Sequence, residues 1–313
     1  MNGRNRHIQY RNSVYRRRRI RTVLITVGVL LVILVLAFLI IGNILQRKSE
    51  RRQGETADTT EEQTLPTAPT EKTPKQIGAY SVPLEAEGEE SFADRVAALT
   101  DSKAALSIPL TDKAGALLYA SPIAQQLGLQ SADAHTVTVD AALQSVSGRY
   151  CSGVFYLSAL SEENSLLRSV KLSQSAAILA EAAQAGLSEV VLIVPNMSAA
   201  QIDEVLHFAQ EVRHLASKLS IGLAVSPSIR TAENSAQLLD RLYRELDLLA
   251  IEAVSGEGDA VAQTEALITD PGMRYNLLRY HMRLLFPTAD AETQSALIAA
   301  AKKEGFANWQ FLS

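Results

Sequence analysis

The sequence predicts an α/β fold: a parallel (β/α) barrel, compact or incomplete and TIM-like, preceded by one transmembrane helix and a disordered stalk. Short apolar runs alternate with helical patterns through residues 96–313, which predicts the barrel. A stretch of 23 uncharged residues near the amino terminus predicts the transmembrane helix. The candidate strands are 104–110, 153–159, 189–195, 221–226, 247–252, 281–286 and 308–312.

The run at 189–195 reads EVVLIVP, which is typical of a strand that is buried on both faces. Helical patterns at 173–185, 198–219, 236–246 and 291–304 lie between the later strands. The second of these begins with Ser198 and has Gln201 three residues on, a capping-box pattern. Strands and helices in series predict parallel pairing with right-handed crossovers.

Two α/β architectures compete for this pattern. A doubly wound sheet often carries a glycine-rich first turn, and the sequence contains neither G-x-G-x-x-G nor a Walker motif. A closed barrel requires eight strands, and a weaker candidate at 136–139 would supply the eighth. The count favours the barrel.

The ends of the chain differ in charge. Residues 1–52 carry a formal charge of +11 against −4 for the whole chain, so the remainder carries −15. Residues 23–45 are long enough to span a bilayer, at about 1.5 Å per residue. Eight arginines precede them and four basic residues follow. The positive-inside rule then predicts a single-pass protein of the cell membrane, with residues 1–22 as a cytoplasmic tail and the carboxyl-terminal domain outside.

Residues 46–95 are rich in Thr, Glu and Pro, which predicts a flexible linker, and residues 96–313 form the predicted extracytoplasmic domain. The acidic domain argues against a nucleic-acid partner. The single cysteine, Cys151, lies in an apolar run and is predicted to be buried. No His or Cys spacing suggests a metal site, and no motif suggests a cofactor.

The segments VTVDAALQSVSGRYCSGVFYLSAL and GFANWQFLS resemble an early unit and the last strand of the glycoside-hydrolase-like TIM barrels of membrane-anchored bacterial surface proteins. These barrels are related in outline to family 18 glycoside hydrolases and polysaccharide deacetylases. The resemblance implies a barrel that handles glycans, with Trp309 as an aromatic floor for a sugar. The segment LDLLAIE lacks the D-x-x-D-x-D-x-E spacing of family 18, and His207 and His214 do not form an H-x-x-x-H pair.

Function in a parallel barrel lies at the carboxyl-terminal ends of the strands. Glu252 ends one predicted strand and is the candidate general acid, with Asp112 as its candidate partner. Asp112 could equally cap a turn, and Glu252 could be a solvated carboxylate.

Three further residues are candidate ligand-binding groups. Trp309 could stack on a sugar or fill the core. Arg283 could bind a polar ligand group or pair with Glu252 or Glu189 inside the barrel. Asn196 follows a predicted strand and opens a sequon, Asn196-Met197-Ser198, that chance can explain.

Three functions remain open. The protein could be a tethered module that binds envelope glycan with weak or no catalysis, an active glycoside hydrolase that uses Glu252, or an envelope assembly protein. A hydrolase predicts a cleft with two close carboxylates, and a binding module predicts a cleft with aromatic side chains and at most one acid. An assembly protein predicts no cleft and an exposed apolar patch.

Overall fold

The computed structural model describes residues 75–85, 90–99, 103–129, 135–146, 148–254 and 258–312. The predicted cytoplasmic tail at 1–22, the transmembrane helix at 23–45 and residues 46–74 of the predicted linker lie outside the described residues. Within the described ranges, no helix combines the length and the apolar character needed to cross a membrane.

Eight parallel strands form a closed barrel in which each strand pairs with the next and β8 pairs with β1. This confirms the predicted α/β barrel and shows that the barrel is complete. The strands are β1 (Gly78–Ser81), β2 (Ala105–Pro109), β3 (Cys151–Tyr156), β4 (Glu189–Ile193), β5 (Ser220–Ala224), β6 (Leu248–Glu252), β7 (Arg283–Phe286) and β8 (Trp309–Phe311).

Helices follow the strands and carry most of the apolar side chains that cover the outside of the barrel. Those in the described ranges are α1 (Phe92–Ala97), α2 (Pro122–Gln126), α3 (Val139–Ser145), α4 (Ser165–Gln184), α5 (Ile202–Leu215), α6 (Pro227–Arg230), α7 (Ser235–Glu245), α8 (Ala260–Thr269), α9 (Pro271–Arg279) and α10 (Ala291–Lys303). Two 3₁₀ turns, Ser158–Ser161 and Ala199–Gln201, precede α4 and α5. The capping box predicted at Ser198 and Gln201 is present.

The first strand lies where the sequence predicted linker. Strand β1 and helix α1 both begin within 46–95, so the folded domain begins before residue 96. The four residues of β1 read GAYS, and only Ala79 is buried. A segment this short and weakly apolar has the sequence pattern of a linker. Its pairing with β2 and β8 is what identifies it as a strand.

The weak strand predicted at 136–139 is instead the beginning of a helix. Thr138 caps α3 through its hydroxyl, which accepts a hydrogen bond from the amide of Ala141 at 3.2 Å. One isolated bridge between Ala120 and Thr138 is all the strand pairing there. Asp140 lies in the first turn of α3 and accepts a hydrogen bond from the side-chain amide of Gln144 at 3.0 Å.

Side chains alternate between the inside of the barrel and the helical layer, as the pleat requires. A buried polar cluster fills the interior near the amino-terminal ends of the strands. Its members are Ser107, Ser152, Glu189, Arg283 and Gln310. An apolar layer that includes Val154, Val191, Ala250 and Leu285 lies above it and separates it from the carboxyl-terminal mouth. Cys151 points the other way and is buried, as predicted.

Candidate functional site

A cavity of about 870 Å³ opens at the carboxyl-terminal ends of the strands. Its floor is the apolar top of the barrel interior, where Ile193, Ala224, Leu285 and Leu312 come together. Strand ends and the loops that follow them supply its lining. The polar lining residues are Lys113, Tyr156, Asn196, Ser226, Ser228, Arg230, Glu252 and Thr288.

Among the lining residues that the structure describes, three carry a charge: Lys113, Arg230 and Glu252. Their formal charges sum to +1. None of the ion pairs within 4 Å in the described part of the chain includes any of the three. None of the three charges is therefore held in a close ion pair with a described residue.

Arg230 is held at the rim by the short helix α6. Ser226 is its extended N-cap, Pro227 occupies the first turn, and Ile229 is fully buried beneath it. The Nε atom of Arg230 is buried and has no hydrogen-bond partner among the described residues. Burial lowers the pKa of the guanidinium, and the nearby charge of Glu252 acts in the opposite direction.

Hydrogen bonds tie neighbouring rim loops together. The hydroxyls of Ser226 and Ser228 both donate to the carbonyl oxygen of Met197, the first at 2.7 Å. Asn196, just before it, adopts a left-handed conformation with φ of 52° and is exposed at the rim. On the other side, Thr288 donates to the carbonyl oxygen of Leu312. The rim after β4, β5, β7 and β8 is thus organised before any ligand arrives.

Glu252 ends β6 and is exposed in the cavity. Tyr156 ends β3 and is mostly buried in the same cavity. Burial raises the pKa of Tyr156, and the charge of Glu252 raises it further. Tyr156 therefore remains a neutral phenol that can donate a hydrogen bond near neutral pH.

Two of the residues predicted from the sequence, Glu252 and Asn196, line the cavity. Asp112 does not. Its carboxylate accepts a hydrogen bond from the amide of Ala116 at 2.8 Å and closes the turn that carries Lys113. The predicted pairing of Asp112 with Glu252 is therefore replaced by the turn-capping alternative.

Arg283 and Trp309 also lie outside the cavity. Arg283 begins β7 and is fully buried in the polar cluster, where it pairs with Glu189. Trp309 begins β8 and packs outside the barrel wall, with its ring centroid 5.2 Å from that of Tyr80 and 5.5 Å from that of Phe311. Both residues occupy the starts of their strands, whereas the cavity lies at the ends.

Within the ranges that the structure describes, no three His, Cys, Asp or Glu side chains come together as a metal site would require. The chemistry available in the cavity is hydrogen bonding and charge. Glu252 can accept, Tyr156 and Asn196 can donate, and Arg230 offers a planar set of donors.

Sequence reasoning missed Arg230, Lys113 and Tyr156. A usable signal existed for Arg230, because the segment Ser226-Pro227-Ser228-Ile229-Arg230 follows β5 closely and begins with a cap and a proline. Lys113 follows a strand end in the same way. Tyr156 lay inside a predicted strand that in fact ends there.

No protein-family profile matches the chain, and no curated protein matches it in sequence. Among solved structures, the spore cortex-lytic enzyme SleL of Bacillus cereus is similar over 77% of this chain and 71% of its own, with 8% identity and a TM-score of 0.46. SleL of Bacillus megaterium is similar over 74% of this chain and 59% of its own, with 8% identity and a TM-score of 0.43.

Endonuclease IV from Thermus thermophilus is similar over 72% of this chain and 99% of its own, with 17% identity and a TM-score of 0.39. These proteins are named for different activities, and all three TM-scores are below 0.5. The fold therefore rests on the strand pairing described above, and the function must be argued from the cavity.

Proposed function

We propose that the cavity binds a saccharide of the cell envelope with weak or no hydrolysis. The observation that carries this proposal is the carboxylate content of the cavity: Glu252 is the single carboxylate among its described lining residues. Acid–base hydrolysis of a glycosidic bond uses two carboxyl groups on opposite sides of the bond. A cavity with one fits a binding module better than a hydrolase.

The rest of the lining suits a ligand rich in hydroxyl groups. Asn196 offers an amide, Thr288 and Ser228 offer hydroxyl oxygens, and Tyr156 offers a phenol. Donors and acceptors stand beside an apolar floor, as in sites that hold the polar edge and the apolar face of one small molecule. The tied rim loops would reduce the entropy cost of binding.

The proposal includes the location of the domain. Residues 23–45 would anchor the chain in the membrane, with residues 1–22 inside the cell and the barrel outside, where envelope glycan is present. The support is the length of the uncharged run and the excess of arginine before it. The lipid bilayer would be the partner of residues 23–45.

Binding and hydrolysis can be measured together. Full-length protein in lipid nanodiscs, which avoid glycoside detergents, is titrated calorimetrically with chitin oligomers and with soluble peptidoglycan fragments. The ligands are then analysed chromatographically for cleavage. We expect binding without significant cleavage, and Asn196→Ala should weaken it about fivefold, the loss of one hydrogen bond.

Glu252→Gln separates the two readings of that carboxylate. Glu252 has no hydrogen bond or ion pair in the described structure, so its replacement should leave the fold intact. Glu265→Gln, which lies away from the cavity on α8, is the matched control. The contrary outcome is rapid hydrolysis by the unmodified protein, with a rate that falls about 10²–10⁴-fold in Glu252→Gln and not in Glu265→Gln. That outcome would show that the protein is a hydrolase with Glu252 as its general acid.

A second candidate function is envelope assembly, and one observation favours it. The amino-terminal half of α4 exposes Leu166, Leu167 and Val170, with Leu166 being 75% exposed. These residues form an apolar face of the kind that marks protein contacts. If this function holds, Leu166→Ser with Val170→Ser should remove self-association or partner binding in crosslinking and sedimentation experiments, and no saccharide should bind.

A further inference from the structure

The charged residues that line the cavity indicate whether its ligand is charged, which the hydroxyl groups of the lining do not. Lys113 and Arg230 contribute two positive charges and Glu252 contributes one negative charge. Neutral saccharides need no cation, because hydroxyl and amide groups satisfy them. A surplus of positive charge at a site suggests an anionic group on the ligand.

Arg230 is the more informative of the two cations. It is half-buried, its Nε atom is enclosed, and it forms no hydrogen bond and no ion pair within 4 Å with a described residue, while the charge of Glu252 offsets only part of its desolvation. Withdrawing a charged group from water without giving it a partner costs free energy. The guanidinium nevertheless stays at the rim, because Ile229 anchors α6 in the core and the two serines tie its start to Met197.

We infer that the saccharide bound in this cavity carries a carboxylate and that Arg230 binds that carboxylate. The inference rests on the proposed function and adds the chemical class of its ligand: an acidic sugar. A carboxylate presents two oxygens in the plane of the guanidinium, so it can accept two parallel hydrogen bonds from Arg230. Binding would give the arginine the hydrogen-bonded partner that it lacks among the described residues.

A carboxylate fits the charge balance better than a phosphate does. The three charged residues carry a formal +1, which one carboxylate neutralises. A phosphate monoester carries about −1.5 to −2 near neutral pH, so it would leave these residues and the ligand with a net negative charge. Glu252 would face the hydroxyl groups of an acidic sugar and accept hydrogen bonds from them.

The test uses one saccharide with and without its charge. Oligogalacturonate and its methyl ester have the same ring and linkage, and only the acid carries carboxylates. Each is titrated calorimetrically into full-length protein in nanodiscs at two salt concentrations. We expect the acid to bind at least about tenfold more tightly than the ester, and the difference to shrink at high salt.

Variants assign that difference to a residue. Arg230→Gln should weaken binding of the acid about 10- to 100-fold and leave binding of the ester nearly unchanged. Arg230→Lys keeps the charge without the planar donors, so it should give an intermediate loss. Arg241→Gln removes the same charge from an exposed ion pair with Asp203 outside the cavity and is the control.

The outcomes separate this inference from the function on which it rests. Equal binding of acid and ester, with no effect of Arg230→Gln, would overturn the carboxylate while saccharide binding stands. Binding of galactose 6-phosphate in preference to the acid would also overturn it. If neither these ligands nor the envelope glycans bind, the proposed function fails as well. The comparison of acid and ester in the unmodified protein decides the matter even if Arg230→Gln does not fold.

Discussion

Arg283 and Glu189 form an ion pair inside the barrel, closed off from solvent. The guanidinium donates to both carboxylate oxygens, through Nη1 to Oε1 and through Nη2 to Oε2 at 3.1 Å. The side chain of Arg283 is 0% exposed and that of Glu189 is 4% exposed. Gln310 and Asn308 accept further hydrogen bonds from the arginine at 2.9 and 3.0 Å. The pair is thus well satisfied, and it joins β4 to β7 across the interior.

Removing one partner of this pair should be much worse than removing both. Glu189→Leu leaves Arg283 as an uncompensated buried charge, and we expect a loss of about 3–5 kcal/mol in the free energy of unfolding. Glu189→Leu with Arg283→Met should recover most of that loss, because apolar residues of similar size can fill the interior. Urea denaturation measures both. Equal losses in the single and the double variant would contradict this account.

The barrel should require β1 to fold. A fragment of residues 68–313 contains all eight strands and should unfold in one cooperative transition. A fragment that begins at Ser91 lacks β1 and exposes the unpaired edges of β2 and β8. Such edges favour aggregation. Size-exclusion chromatography and calorimetry should therefore show a monomeric, cooperative first fragment and an aggregated or non-cooperative second one. A stable monomer from Ser91 would show that β1 is dispensable.

The contrast between β1 and the later strands shows which parts of the fold a local sequence pattern can predict. The seven later strands are apolar runs bounded by polar or helical segments, and local pattern is sufficient to find them. Strand β1 has a single buried residue, Ala79, and its identity depends on pairing with β2 and β8. Closure of the barrel is decided by pairing between the first and last strands, which no local pattern reveals.

The candidate site shows the same division. The rule that places function at strand ends selected Glu252 and Asn196, and both line the cavity because each lies at or just after the end of a well-marked strand. Arg283 and Trp309 begin their strands and therefore lie at the opposite end of the barrel from the cavity, because the end at which a residue lies depends on its position along a strand of three or four residues. Arg230 lies on the short helix α6, several residues beyond the end of β5, so a rule that considers only strand ends does not select it.

Trp309 should act on stability. Its ring packs against Gly78 of the neighbouring strand, and a Cβ at that glycine would lie 2.5 Å from Cζ2 of the tryptophan. We expect Gly78→Ala to cost about 1–3 kcal/mol through overpacking, and Trp309→Ala about 3–5 kcal/mol through the loss of a buried aromatic. Thermal denaturation tests both. Saccharide binding by the folded fraction should be unchanged. A loss of binding in folded Trp309→Ala, but not in Gly78→Ala, would instead support the role of Trp309 in stacking on a sugar.

The thiol of Cys151 should be inert in the folded protein. Burial raises its pKa to about 11, and the positive charge of Arg149 acts in the opposite direction as the lesser cause. At pH 8 about one thiol in a thousand is then ionised, against roughly a quarter for a free cysteine. We expect reaction with Ellman's reagent to be at least about 100-fold slower than that of free cysteine and to become rapid in urea. Rapid reaction without urea would contradict the burial.

The raised pKa of the Cys151 thiol should also affect the stability of the protein at high pH. The thiol ionises more readily in the unfolded chain, so its contribution to stability is fully present below the unfolded pKa of about 8.5. That contribution is lost as the pH rises toward about 11 in the folded protein. The free energy of unfolding should therefore fall more steeply over this range in the unmodified protein than in Cys151→Ala. Parallel curves for the two proteins would show that Cys151 does not titrate differently on folding.

The predicted topology can be tested on intact cells. If residues 1–22 lie in the cytoplasm and residues 23–45 span the membrane, protease added outside should reach residues 53–74, whose Thr-, Glu- and Pro-rich composition is typical of an accessible linker. Cleavage there should release a fragment that contains the whole barrel, because the described fold begins after residue 74. Immunoblotting with an antibody against the barrel follows the fragment, and a cytoplasmic enzyme that stays intact shows that the cells are sealed. If the protein remains uncut until the cells are lysed, the barrel lies inside the cell. An envelope glycan could then no longer be proposed as its ligand.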